Sequence, residues 1–152
     1  MMYLLDTDVL SELRKVKAGK AHPNVVAWNG SISPSQSFIS AISVLEIERG
    51  ILRLVRRDKA QGEVMRNWFE QRVLPAFTDR VLAIDSAVAR RCAGLHVPDP
   101  RPERDALIAA TALVHSMTVV TRNAPDYEPT GVDILNPWEW QPPEGGLQRN
   151  TQ

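Results

Sequence analysis

Three carboxylates stand at comparable places in three separate units of this sequence: Asp6, Glu46 and Asp105. Asp6 follows the apolar run Met2 to Leu5 and opens Asp6-Thr7-Asp8. Glu46 is expected in the first turn of a helix that follows a short strand, and Asp105 in the first turn of a later helix. In a parallel sheet such positions lie along one edge of the fold, where ligands collect beyond the carboxyl ends of the strands. Carboxylates brought together there repel one another unless some stay protonated or a cation joins them. A hard divalent ion such as magnesium takes oxygen ligands and keeps several waters. It can supply a nucleophilic water and stabilise a transferring phosphoryl group. Each residue also has a purely structural reading. Asp6 can cap a helix, Glu46 stands three residues after Ser43 in a capping-box pattern, and Asp105 can complement a helix dipole. Joint placement favours the metal reading, since capping alone does not call for three carboxylates on one edge. Past a later strand, Asn123 and Asp126 are two candidates for a fourth ligand, although both residue types also favour turns.

The elements that must position these groups follow from periodicity and punctuation. Met2 to Leu5 predicts a buried strand, and Val9, Leu10 and Leu13 predict a helix from Thr7 to about Lys17 that Gly19 ends. A second short helix follows Pro23, to Trp28 or Asn29. Ser37 to Ser40 predicts the second strand. Val44, Leu45, Ile47, Ile51, Leu52 and Val55 predict one apolar side of the next helix. Val64, Trp68, Phe69, Val73 and Leu74 predict the face of another, which Pro75 should end. Val81 to Ile84 reads as a buried strand, and Ser86 as the cap of a helix through about Leu95. Pro98, Pro100 and Pro102 make a stiff connection to a helix over Glu103 to Ser116. The β-branched run Thr118 to Thr121 predicts a central strand, Asp126 to Gly131 a loop, and Val132 to Leu135 the last strand. Strands and helices alternate, so the class is α/β, with a central parallel sheet of four to five strands flanked by helices. One domain is expected over residues 1–140, with a flexible C-terminal tail over 141–152.

The bulk properties narrow the partners. A chain of 152 residues fits one domain with one core. Eighteen basic and eighteen acidic side chains cancel, so a nucleic-acid partner must be held by local patches and not by a global field. The single cysteine, Cys92, cannot form an internal disulfide, which fits a reducing cytoplasm, and reads as a small buried hydrophobe. Asp6 and Asp8 interrupt the N-terminal apolar run before a signal-peptide core is reached. Ala106 to Val114 falls short of the ~20 residues that span a bilayer. A cytoplasmic location without a membrane partner is therefore expected. Dinucleotide, P-loop and nucleophile-elbow patterns do not occur, and His22, His96 and His115 show no ligand spacing.

Four segments together carry a family resemblance. Leu4-Leu5-Asp6-Thr7-Asp8-Val9-Leu10-Ser11-Glu12 resembles the opening of PIN-domain proteins, and Ile42 to Gly50 their second motif. Asp105-Ala106-Leu107-Ile108-Ala109-Ala110-Thr111-Ala112 resembles the third, and Val120-Thr121-Arg122-Asn123 the fourth, with Leu135-Asn136-Pro137-Trp138 fitting the close. The nearest group is the VapC/FitB-like toxins of type II toxin–antitoxin systems. The resemblance implies an endoribonuclease dependent on Mg2+, with Mn2+ as a substitute, usually a homodimer and inhibited by a cognate antitoxin. It implies metal binding by Asp6, Glu46 and Asp105. Asp6 and Asp105 would hold the ion directly, and Glu46 through water or as the group that orients the attacking water. Thr7 would support through its hydroxyl. The family's fourth acidic position follows the Thr-Arg pair, where this chain has Asn123.

RNA must also be gripped beside an acidic pocket. Arg14, Lys15, Lys17 and Lys20 follow the first motif, and Arg49 and Arg122 adjoin proposed site residues, so these two are the stronger candidates for phosphate contacts. Trp68, Phe69, Val73, Leu74 and Phe77, with Ile51, Leu52 and Val55, suggest core or a helical clamp for an antitoxin segment. Two rival readings are a catalytically inactive PIN-fold binding module, which Asn123 leaves open, and a receiver-like magnesium-binding phosphoacceptor domain. The latter requires an acceptor aspartate after a middle strand and a lysine after a late one, and Thr121-Arg122-Asn123 offers no lysine.

Overall fold

The structure, a computed structural model, describes residues 1–143. It opens with β1 (Tyr3–Leu5), in which Leu4 and Leu5 are buried. A strand covered on both faces needs an unbroken apolar run, as here. α1 (Thr7–Leu13) begins at once, with Asp6 as its N-cap. It is shorter than the predicted helix to Lys17: from Arg14 to Ala18 the chain tightens into a 3₁₀ turn with no buried residue, ended by Gly19 at φ 68°. α2 (Pro23–Gly30) is capped by the His22 ring, which accepts the Asn24 N–H, and seats Trp28 edge-on to Tyr3.

β2 (Ser37–Ser40) falls where the sequence predicts it, and α3 (Ala41–Arg57) is capped by the Ser40 hydroxyl. Ser43 is therefore no N-cap. It is the third helical residue, fully buried, and Glu46 falls in the second turn instead of the first. The buried stripe of α3 is Ser43, Ile47 and Ile51, while Leu45 and Leu52 are 45% and 55% exposed. Each helical residue turns about 100°, so Leu45 points almost opposite to its neighbours Ser43 and Ile47. α4 (Lys59–Trp68) folds back against α3 and runs through a π-helical turn, Phe69–Val73, into α5 (Leu74–Ala76). Phe69 and Val73 are buried, whereas Val64 and Leu74 are exposed, and the helix carries one residue past Pro75.

β3 (Val81–Leu82) is half the predicted length, and Val81 is exposed because the strand is at the sheet edge, with β2 as its only neighbour among the described residues. α6 (Ser86–Leu95) is capped one residue earlier than expected, by Asp85, whose carboxylate accepts the Val88 N–H at 2.9 Å. α7 (Glu103–His115) stops before Ser116, which takes a left-handed conformation at φ 56°. β4 (Thr118–Val120) is wholly buried. The expected loop is in part a short helix, α8 (Ala124–Tyr127), and a 3₁₀ turn, Glu128–Thr130. β5 (Ile134–Leu135) closes the sheet and starts later than Val132. The expectation of a flexible tail falls mostly on residues 144–152, outside the described residues.

The five strands among the described residues are all parallel, in the order β3-β2-β1-β4-β5. Alternate residues of the inner strands face opposite layers. Leu5 and Val120 join the core under α1, α2, α3 and the π turn, and Leu4 and Val119 join Ile108, Ala109 and Ala112 of α7. The chain leaves β1 toward β2 on one side and returns to β4 on the other, which makes a switch point between the carboxyl ends of β1 and β4. No helix among the described residues is long and apolar enough to cross a membrane.

Candidate active site

Asp6 sits at that switch point, one residue beyond β1, and its side chain is 1% exposed. Its backbone N–H still belongs to the sheet, donating to Val120 O at 2.9 Å. A buried carboxylate must be satisfied from all sides. Oδ2 accepts from the Thr121 hydroxyl at 2.9 Å and the Tyr127 hydroxyl at 3.1 Å. Oδ1 accepts the Thr7 N–H at 2.7 Å and a guanidinium N–H of Arg104. Asp6 is thus both helix cap and site residue, and the two sequence readings do not exclude each other.

α3 brings Glu46 to the same place. Its Oε1 accepts from Thr7 Oγ1 at 2.7 Å, and the same hydroxyl shares a 3.0 Å hydrogen bond with the buried Ser43. Ser43 is therefore explained by support of Thr7, across α1 and α3, and not by a capping box. Asp105 arrives from the first turn of α7, 15% exposed, with Oδ1 3.0 Å from Arg104 Nη1. Burial pushes the Asp105 carboxyl up, the bond from Arg104 pulls it down, and the nearby charges of Asp126 and Asp6 push it up again, so that it ends above its ordinary value. The sheet edge thus gathers Asp6, Glu46 and Asp105 from three distant segments.

What joins them is Arg104, which the sequence reading did not single out. Its Nε donates to Glu46 Oε2 at 2.5 Å, its Nη2 to Asp6 Oδ1, and its Nη1 to Asp105 Oδ1, with the Tyr127 hydroxyl 3.3 Å away. Burial draws its pKa down, but the bond to Glu46 and the charge of Asp6 outweigh that, so the guanidinium stays charged at any ordinary pH. Tyr127 is held neutral, by burial first and by Asp6 second. The sequence signal for Arg104 was adjacency to Asp105 in the first turn of its helix, and that for Tyr127 was nothing beyond a lone aromatic in a loop.

The remaining expected site residues lie farther out. Asn123 is exposed; its backbone N–H donates to Thr121 Oγ1 at 3.0 Å and its amide nitrogen lies 3.5 Å from Asp8 Oδ2. Asp126 is exposed on α8 and reaches Asp105 through its charge, without a hydrogen bond to it. Arg122 is exposed, its guanidinium 5.2 Å above the Trp138 ring, and its backbone N–H donates to Asp8 Oδ2 at 3.0 Å. Arg49 is exposed one turn beyond Glu46, and its side chain has no hydrogen-bond or ion-pair partner among the described residues. Asp8 was not among the expected ligands, yet its Oδ1 is buried without a partner among the described residues, and burial together with Asp6 raises its carboxyl to about 6.

The donor set fits a hard divalent cation. It is built of carboxylate oxygens, it already closes around one positive charge, and among the described residues it leaves a buried Asp8 oxygen without a donor. Their oxygens are splayed around the breadth of a guanidinium, not drawn to a point. The one set of three potential ligands lying within 4.8 Å of one another among the described residues is elsewhere: Cys92, His96 and Glu103. There His96 Nδ1 accepts the Arg101 N–H at 3.1 Å, so the ring proton is on Nε2, directed at Glu103, and no open nitrogen ligand remains. That trio is a latch between α6 and α7.

The receiver-like reading lacks its lysine: β4 is followed by Thr121-Arg122-Asn123. The profile of the PIN domain matches residues 3–124. The chain is 35% identical over 143 residues to a VapC ribonuclease, Y4jK, of Sinorhizobium fredii, with 91% of this chain and 99% of that protein covered. It is 36% identical over 143 residues to toxin FitB of Neisseria gonorrhoeae, covering 90% of this chain and 99% of that one. The crystal structure of FitAcB from Neisseria gonorrhoeae superposes with a TM-score of 0.82 at 33% identity, covering 91% of this chain and all (100%) of its counterpart. Fold, carboxylate placement and relatives agree: this chain belongs to the PIN-domain family.

Proposed function

We propose that this chain is the ribonuclease toxin of a toxin–antitoxin pair, hydrolysing RNA phosphodiester bonds with a divalent cation, Mg2+ or Mn2+, held by Asp6, Glu46 and Asp105. The observation that carries the proposal is the convergence of these three carboxylates around one positive charge at the switch point. When bound, such an ion stabilises charge on the phosphate and helps generate the nucleophilic water. The chain's own residues do the rest. Thr121 and Tyr127 fix the Asp6 carboxylate through Oδ2. Thr7, backed by Ser43, fixes Glu46 through Oε1. Glu46, 25% exposed, binds the ion through water or orients the attacking water. In-line attack breaks the P–O3′ bond and leaves a 5′-phosphate and a 3′-hydroxyl. Arg49 and Arg122 contact flanking phosphates. Neither Asn123 nor Asp126 bonds to the triad, which supports a site built mainly on three carboxylates.

We also propose a surface for the partner. An open groove of about 260 Å³ runs between α1 and the π turn, floored by Leu10, Leu13, Trp68, Val73 and Phe77 and rimmed by Arg14 and Arg72. Its second wall is α1, not the side of α3 that the sequence suggested; Ile51 is core and Leu52 points to solvent. We assign this groove to an apolar antitoxin segment carrying acidic residues, and the active protein to a homodimer.

The test is cleavage of a mixed RNA pool by purified, antitoxin-free protein with Mg2+, with Mn2+ and with chelator, beside Asp105→Asn prepared identically. Metal-dependent cutting with 5′-phosphate ends, reduced by at least about a hundredfold in the variant, is expected; losing one oriented charged group at a reacting centre typically costs that much. Equal behaviour of the two folded proteins would overturn the enzyme reading in favour of an inactive binding module.

A further inference from the structure

Arg104 makes more polar contacts than any other side chain at the site. Its three nitrogens reach Glu46 on α3, Asp6 after β1 and its own neighbour Asp105, with Tyr127 and Thr7 at 3.3 and 3.4 Å. α7 itself is anchored by Ala106, Ile108, Ala109, Ala110 and Ala112, all buried. Arg104 is one-third exposed and stands in the first turn of the helix, so its side chain has an open route to solvent. The carboxylates it spans are those that a metal would need. A guanidinium presents five donors in a fixed plane and so spreads its acceptors apart, whereas a small ion with ligands at about 2.0–2.6 Å draws them in. Both cannot be served by the same oxygens at once.

We infer that Arg104 is the internal counter-ion of this site: its guanidinium and a divalent cation are alternative occupants of the same carboxylates, and binding of the ion requires Arg104 to swing out toward solvent. The inference rests on the metal-dependent reading above and adds a residue that sets how strongly the metal is held. Arg104 does not touch the reacting atoms while seated; it acts through Asp6, Glu46 and Asp105 as a positioning residue. Because the guanidinium never deprotonates in the working range, the competition is governed by metal concentration. The apparent affinity for the ion is lowered by the fraction of molecules in which the arginine is out. The seated arginine also relieves carboxylate repulsion when metal is scarce.

The experiment is Mn2+ binding, followed by electron paramagnetic resonance of the free ion, for wild type, Arg104→Gln, Arg104→Lys and Asp105→Asn, with thermal melting of each in chelator. Arg104→Gln is expected to bind one Mn2+ at least about tenfold more tightly than wild type, the reciprocal of a competent fraction of a tenth or less. It is also expected to melt lower in chelator and to recover in saturating Mn2+. Arg104→Lys, a shorter cation that cannot bridge three carboxylates, should fall between. In unmutated protein, the Arg104 Nε–H nitrogen resonance should lose its protection as Mg2+ is added. Weaker or unchanged Mn2+ binding by Arg104→Gln, with wild type still binding one ion that Asp105→Asn loses, would overturn the competition and leave the metal site standing. Absence of Mn2+ binding in wild type and Arg104→Gln alike would overturn both.

Discussion

Asp8 Oδ1 is buried and has no hydrogen-bond partner among the described residues, while Oδ2 accepts the Arg122 N–H. Burial, then the charge of Asp6, raises the carboxyl from 3.8 to about 6. The sign of the consequence follows from linkage. With a folded pKa above the unfolded one, the native state holds the proton more tightly, so the Asp8 contribution to stability is complete below about pH 4 and is lost as pH rises through about 6. Asp105 is shifted in the same direction. In chelator, wild type should therefore melt progressively lower between pH 4 and 7, and Asp8→Asn should flatten that slope. Its carbonyl keeps the Arg122 bond without the buried charge. At pH 8 the variant should gain about 1 kcal/mol, near the low end for relieving an unsatisfied buried group, or about 2–4 °C for a chain of this size. A variant less stable than wild type at pH 8 would show that the lone oxygen is satisfied in solution. At this scale the sequence was legible where backbone context places a side chain. Asp6 follows an apolar strand and Asp105 opens a helix, so both could be assigned to the sheet edge. Arg104, Tyr127 and Ser43 could not, because their roles depend on helix phase and on segments 36 to 121 residues apart meeting at one point.

Gly62 decides how α4 returns along α3. A Cβ there would stand 2.7 Å from Val55 Cα and 2.8 Å from Val55 N, and would strike Val55 Cγ2. Two of those atoms are backbone and cannot step aside without moving the helix. Gly62→Ala adds helix propensity worth up to about 1 kcal/mol, yet it should destabilise the protein, because overpacking at a close crossing costs about 1–3 kcal/mol. Chemical denaturation gives the sign directly, and a variant as stable as wild type would mean that the two helices cross farther apart. Because α3 carries Glu46, such a shift should also loosen the Thr7–Glu46 contact. The sequence read α3 and α4 as amphipathic helices but could not reveal this contact, since a glycine inside a helix looks the same whether it weakens the helix or admits a neighbour. Element ends were least legible where two caps compete. Ser40 and Ser43, or Asp85 and Ser86, are equally good cap types, and the preceding strand or turn decides between them.

For the whole molecule, alternation of apolar runs with helical periodicity was enough to read a parallel α/β sheet, because βαβ connections leave few other solutions. Strand order was not legible: a short buried strand carries no mark of which neighbours it pairs with, and the edge position of β3 shows only as a two-residue strand with an exposed valine. Charge distribution is a second whole-molecule property. Basic and acidic residues balance at eighteen each, so RNA cannot be drawn in by a net field. On the function proposed above it is held by cations flanking the carboxylates; Arg49 and Arg122 are both exposed, with Arg122 braced against Trp138. Each phosphate contact to a single strand contributes about −0.7 to the slope of log affinity against log salt. Binding of a mixed-sequence single-stranded RNA, measured in chelator so that it is not cut, should show a shallow slope, near −1.4 if these two contacts dominate. Arg49→Gln and Arg122→Gln should each flatten it by about 0.7 and weaken binding by a similar factor on every sequence. A slope steeper than about −3 that survives both substitutions would move the RNA path away from the site edge, onto the arginines farther along α3: Arg53, Arg56 and Arg57.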